Sequence, residues 1–90
     1  MIRVNDKYVI EVDHLNYTAQ IDTKKKDKDG NPIRKNIGYY SNISNAMKGI
    51  AENEVCEVLA DGEYSLKEAM AEIKAIYGEF NHIFELIVGR

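Results

Sequence analysis

A change of hydrophobic period near Tyr40 is the feature that most constrains this chain: apolar residues recur at every second position before it and at every third or fourth after it. Tyr8, Ile10 and Val12 alternate with Val9 and Glu11, which predicts a short strand with one face toward a core. Asp13 and His14 suit a turn, and Leu15, Tyr17, Ala19 and Ile21 then alternate against Asn16, Thr18, Gln20 and Asp22 as a second strand. Residues 26–32 collect turn chemistry: Asp29-Gly30 tolerates positive φ, and Pro32 has no N–H for a central ladder. They form the tip of a long hairpin whose return strand runs from about Ile33 to Tyr40. Simple alternation puts Ile33, Lys35, Ile37 and Tyr39 on the core side of that strand, and Arg34, Asn36 and Tyr40 on the other.

After Tyr40, Ser41 or Asn42 can cap a helix in which Ile43, Ala46, Met47, Ile50 and Ala51 repeat at helical spacing, ending near Ala60. Gly49 and Asn53 are weak helix formers and predict a break or a bend between residues 49 and 54, while Asp61-Gly62 supplies the stop. Ser65-Leu66-Lys67-Glu68 reads as a capping box opening a second helix of about twenty residues. Its apolar face includes Ala69, Ile73, Ile76, Phe80 and Ile83. The expected fold class is α+β: a small three-stranded antiparallel sheet (β-β-β) followed by two helices packed on one face. The 90 residues suffice for a single domain, 1–90, with the sheet and long basic hairpin in 1–40 and a helical half in 41–90.

Charge follows the same division. Residues 1–40 carry eight Lys/Arg against six Asp/Glu, and residues 41–90 carry four against nine, giving the net charge of −3. Half of the basic residues, Lys24, Lys25, Lys26, Lys28, Arg34 and Lys35, fall in one twelve-residue window with only Asp27 and Asp29 among them. An anion-seeking surface belongs there, with Tyr40 or Tyr17 available for stacking on a base. Lysines on a hairpin also keep an open edge from pairing with another chain, which explains the same residues without a ligand. The acids of the second helix, Glu68, Glu72 and Glu79, form a solvated face or a contact for a basic protein groove.

Catalytic and metal-binding patterns do not assemble. Asp27-x-Asp29-Gly30 is a fragment of a calcium loop, but Lys25 and Asn36 occupy positions where carboxylate ligands belong. His14 and His82 lack helical ligand spacing, and a lone cysteine, Cys56, excludes both an internal disulfide and a Cys-based zinc site. Its place by the apolar stripe of the first helix predicts a small buried hydrophobe. No glycine pattern cradles phosphate, and no nucleophile, base and orienting group can be named together. The expectation is a protein that is not an enzyme and needs no cofactor or metal. No apolar run is long enough to span a membrane, and the first residues lack a signal-peptide layout, so a cytoplasmic location is expected. Tyr77, Phe80, Ile83, Phe84, Leu86, Ile87 and Val88 crowd the end of the second helix and predict a homo-oligomer.

Lys7-Tyr8-Val9-Ile10, Asn16-Tyr17-Thr18-Ala19, the polar hairpin, Ile37-Gly38-Tyr39-Tyr40 before a capped helix, and Ser65-Leu66-Lys67-Glu68 together make a pattern over nearly the whole chain. In this it resembles a group of short phage and prophage proteins of unknown function. The resemblance implies a small accessory product of a mobile element in a bacterial host, and carries over no functional residue. The leading expectation is therefore a non-enzymatic protein that binds a host macromolecule, a host protein such as a component of antiviral defence, through the basic hairpin and the exposed acids. The alternative is a binder of nucleic acid or of a small anion or nucleotide, using the basic hairpin.

Overall fold

The structure, a computed structural model, describes the backbone of residues 1–88 and side chains through residue 86, so Ile87 and Val88 of the expected apolar crowd lie outside the described side chains. The element order is β1 (Ile2–Arg3), β2 (Tyr8–Val12), β3 (Tyr17–Lys26), β4 (Pro32–Tyr40), α1 (Ile43–Ala60) and α2 (Leu66–Val88). The class is α+β with an antiparallel sheet and two helices. The sheet has four strands in the order β1-β2-β3-β4, and not three. The additional strand is only two residues long, too short for an alternation to register in sequence, and pairs Ile2 with Ile10 and Arg3 with Val9. The chain divides into two compact units, Met1–Gly49 and Ile50–Arg90, with the division inside α1.

In the first unit the β2–β3 hairpin is tighter than alternation suggests. Val12 pairs with Tyr17, and the Asp13 amide donates to the Asn16 carbonyl at 3.0 Å. Leu15 thus belongs to the turn and is exposed rather than on a strand face. Cross-strand partners share a side of an antiparallel sheet. One side carries Tyr8, Ile10 and Ala19, all fully or almost fully buried, and α1 contributes Ala46 and Met47 to the same unit's core. The opposite side carries Arg3, Glu11, Gln20 and Asp22, with Val9 fully buried between its lateral partners Arg3 and Gln20.

A bulge in β4 reverses the expected assignment of its two tyrosines. Ala19 pairs with Gly38 and Gln20 with Asn36, leaving Ile37 as the extra residue. Every side chain beyond it changes side. Tyr40, expected on the outer side and available for stacking, instead lies over Gly38 on the side of Ala19 and Tyr17, half-buried. Tyr39, expected inward, is 69% exposed, and its hydroxyl accepts a hydrogen bond from the Asn36 amide at 2.9 Å. The Tyr40 hydroxyl also occupies the space where a Cβ at Gly49 would sit. Gly49 is thus the opening in α1 for the ring, and α1 runs without a break over Ile43–Ala60. Asn42 caps it, accepting from the Asn45 amide at 2.8 Å.

The second unit contains the rest of α1 and α2. Ile50, Ala51, Ile76 and Phe80 are its buried apolar residues. The Asp61 amide and the Tyr64 hydroxyl both donate to the Val58 carbonyl, satisfying an otherwise open helix end. The Ser65 capping box forms in both directions: the Glu68 amide donates to Ser65 Oγ at 3.2 Å and the Ser65 amide to Glu68 Oε1 at 3.1 Å. Cys56 is exposed, contrary to the expected buried thiol, because the apolar stripe it borders is wider in sequence than the face actually covered. Among the described residues, no helix is long and apolar enough to cross a membrane.

Candidate nucleic-acid interface

The basic window forms a two-stranded arm. β2 starts at Tyr8, the partner of Ile21, so β3 has no inner neighbour beyond the Asp22 amide, which donates to the Lys7 carbonyl at 2.7 Å. Past that point only β3 and β4 pair. Asp22 pairs with Arg34 and Lys25 with Ile33, which leaves Thr23 and Lys24 as a two-residue bulge. Lys24 adopts a positive φ of 62°, unusual for a residue with a Cβ. Local polar contacts hold the kink. Asp22 Oδ1 accepts from the Lys24 amide at 2.9 Å, and Thr23 Oγ1 donates to the Ile33 carbonyl at 2.5 Å.

At the tip the Asp27 carboxylate accepts the amides of Asp29 and Asn31, both at 2.9 Å, and Gly30 supplies the positive φ of 83°. This Asx arrangement turns Asp27 Oδ1 onto the backbone of its own turn. Asp22 accepts from the Arg3 guanidinium at 2.8 Å and lies 3.6 Å from the Lys24 ammonium. The Arg3 hydrogen bond, then the Lys24 amide, and also the charges of both residues draw its carboxyl down to about 2. Arg34 pairs with Glu11 at 3.2 Å.

Of the six predicted basic residues, Lys24 and Arg34 are therefore engaged within the sheet. Among the described residues, Lys25, Lys26, Lys28 and Lys35 have no carboxylate partner, and all four are exposed. Ion pairs occupy Asp22 and Glu11, and the Asp29 and Asn31 amides occupy Asp27 Oδ1, whereas Asp29, the other acid within the basic window, is exposed. Tyr40 is not part of this surface; it packs between Gly38 and Gly49. Sequence reading missed Tyr39 as the exposed aromatic because nothing in the residue types announces a bulge at Ile37.

The predicted acidic residues separate into two kinds. Glu68 is held by Ser65, whose hydrogen bonds lower its carboxyl below the ordinary range. Glu72 and Glu79 are exposed on the same helical face at spacings of four and eleven from Glu68. A different flank of α2 carries an open apolar groove of about 430 Å³ lined by Met70, Ala71, Ile73, Lys74 and Tyr77. Burial first, then the nearby Glu52 and Cys56, raises the Tyr77 hydroxyl above its usual range. Among the described residues, no three His, Cys, Asp or Glu side chains gather to hold a metal ion. Comparison with family models, curated proteins and solved structures finds no match to this chain.

Proposed function

We propose that this chain is a non-catalytic binding protein whose contact element is the β3–β4 arm and whose ligand is nucleic acid. The observation that supports it is the set of four exposed ammonium groups with no carboxylate partner among the described residues, Lys25, Lys26 and Lys28 on the projecting ribbon and Lys35 at its base opposite Ile21, while the nearby Asp22 and Glu11 are held in ion pairs. Ammonium groups placed along phosphate displace condensed counterions, so affinity of this kind falls steeply with salt. On the resemblance to phage accessory proteins, such a binder acts on a host's macromolecules and obstructs their use, antiviral defence included. Recovery of nuclease-sensitive nucleic acid with the tagged protein, lost when Lys25, Lys26, Lys28 and Lys35 are all replaced by Ala, is the expected result. Recovery unchanged by that replacement would sink the proposal.

A second reading, a contact with a host protein, is favoured by Glu72 and Glu79, which are exposed on one face and have no cation partner among the described residues. It predicts a nuclease-resistant, stoichiometric protein partner that is lost in E72K/E79K. Glu68 is unsuited to this test, because its reversal also breaks the cap. Self-association belongs to the same proposal: Leu66 and Met70, 78% and 61% exposed, continue an apolar edge along α2. Sedimentation velocity across a wide concentration range checks it, and a monomer throughout would remove it.

A further inference from the structure

We infer that the arm recognises double-stranded DNA, entering a groove so that its two faces meet the two flanking phosphate chains. The inference rests on the nucleic-acid reading above and narrows its ligand. Cross-strand pairing sorts the unpaired lysines by face. Lys25 is opposite Ile33, which shares a face with Lys35 at the base of the arm, opposite Ile21, whereas Lys26 is opposite Pro32 and shares the other face with Arg34. Lys28 lies in the tip between them. A chain that tracks one strand of nucleic acid needs its cations along one face, interleaved with aromatic rings on which bases stack. The arm has the opposite layout.

Residues 23–35 contain no aromatic side chain. Tyr39, the nearest exposed ring, is farther down β4, and its hydroxyl is engaged by Asn36. Cations on both faces and at the tip instead fit a slot with negative walls on either side. The B-form major groove, about 12 Å wide, admits a two-stranded ribbon, while the A-form RNA major groove is too deep and narrow for side chains to read. The tip is built for insertion. Asp27 folds back onto its own backbone through the Asp29 and Asn31 amides, which keeps the turn compact and stiff. The Asp27 amide also closes the loop by donating to the Asn31 carbonyl at 2.9 Å.

Fluorescence anisotropy with a labelled DNA duplex, its separated strand and the same-sequence RNA duplex, each over a salt series, tests the inference. The duplex DNA should bind at least about tenfold tighter than either other form, with a log–log salt slope near −3.5, about −0.9 for each of four neutralised phosphates. Removing one face in K25A/K35A should reduce that slope by about 2, and removing the other in K26A by about 1. All three lysines are exposed and have no ion-pair partner among the described residues, so circular dichroism of the variants should match the parent. Equal or tighter binding of the single strand or of RNA would overturn the duplex-DNA inference and leave the nucleic-acid reading standing. So would a slope that only one face can change. Failure to bind any nucleic acid would overturn both, and assign the lysines to guarding an open sheet edge.

Discussion

Tyr40 and Gly49 show how one residue's identity can be set by another far from it in sequence. Glycine inside a helix costs about 1 kcal/mol relative to alanine, so G49A would normally stabilise α1. Here the added Cβ overlaps the Tyr40 hydroxyl, and the ring is backed by Gly38. The overpacking cost of about 1–3 kcal/mol offsets that gain, so G49A should lower stability by up to about 2 kcal/mol. In a Y40A background the same substitution should become neutral or stabilising by up to about 1 kcal/mol, so the sign change in a urea-denaturation cycle is the readout. Asp22 supplies a second residue-scale test through pH. Its carboxyl is drawn from an ordinary 3.8 to about 2 in the folded protein. A depressed folded-state value stabilises above about pH 4, and this contribution disappears as pH falls toward 2. The stability gap between the parent and D22N should be constant near neutrality and close over that acidic interval, as followed by denaturant midpoints at each pH. A gap independent of pH would show that the Arg3 pairing does not select the charged carboxylate.

At the scale of elements, the arm and the helix caps make opposite predictions. No residue between Gln20 and Asn45 is buried, so the arm adds nothing to the core. Replacing residues 23–33 with a two-residue Asn-Gly turn, joining the paired Asp22 and Arg34, should leave stability within about 1 kcal/mol of the parent, since shortening a loop changes its closure entropy only slightly. The same excision should abolish nucleic-acid binding; thermal denaturation and anisotropy check the two halves separately. The cap before α2 behaves differently. S65A should cost about 1 kcal/mol and show first as lost helical signal on heating, because the freed Glu68 amide has no alternative partner in the turn. Elements were the most legible level in the sequence. Both helix starts and the arm's turn rest on short-range hydrogen bonds, from Asn42, Ser65 and Asp27, that act among residues within four positions of each other. β1 escaped notice because two residues carry no period, and the bulges at Ile37 and at Thr23–Lys24 because register is decided by the partner strand.

Across the whole molecule, the field of a chain with net charge −3 opposes any polyanion that the arm attracts. Reversing Glu72 and Glu79 changes each from −1 to +1 and moves the net charge from −3 to +1. If the arm is the contact, E72K/E79K should strengthen nucleic-acid binding at low salt through the change in net charge, and the gain should shrink as ionic strength rises. Arm-lysine variants should weaken binding under both conditions, and titrations at two salt concentrations separate the long-range effect from direct contact. The sequence by itself determined the α+β class, the helix limits at residues 43–60 and 66 onward, the turn at Asp29-Gly30 and the basic arm, because periodicity, capping and turn preference are local properties of the chain. Only the tertiary structure decided that Tyr39 and Tyr40 exchange sides, that Gly49 makes room for a ring, that Cys56 is exposed, and which lysines are left unpaired. Those outcomes depend on strand register and on distant partners such as Arg3 for Asp22 and Glu11 for Arg34, which no local pattern encodes.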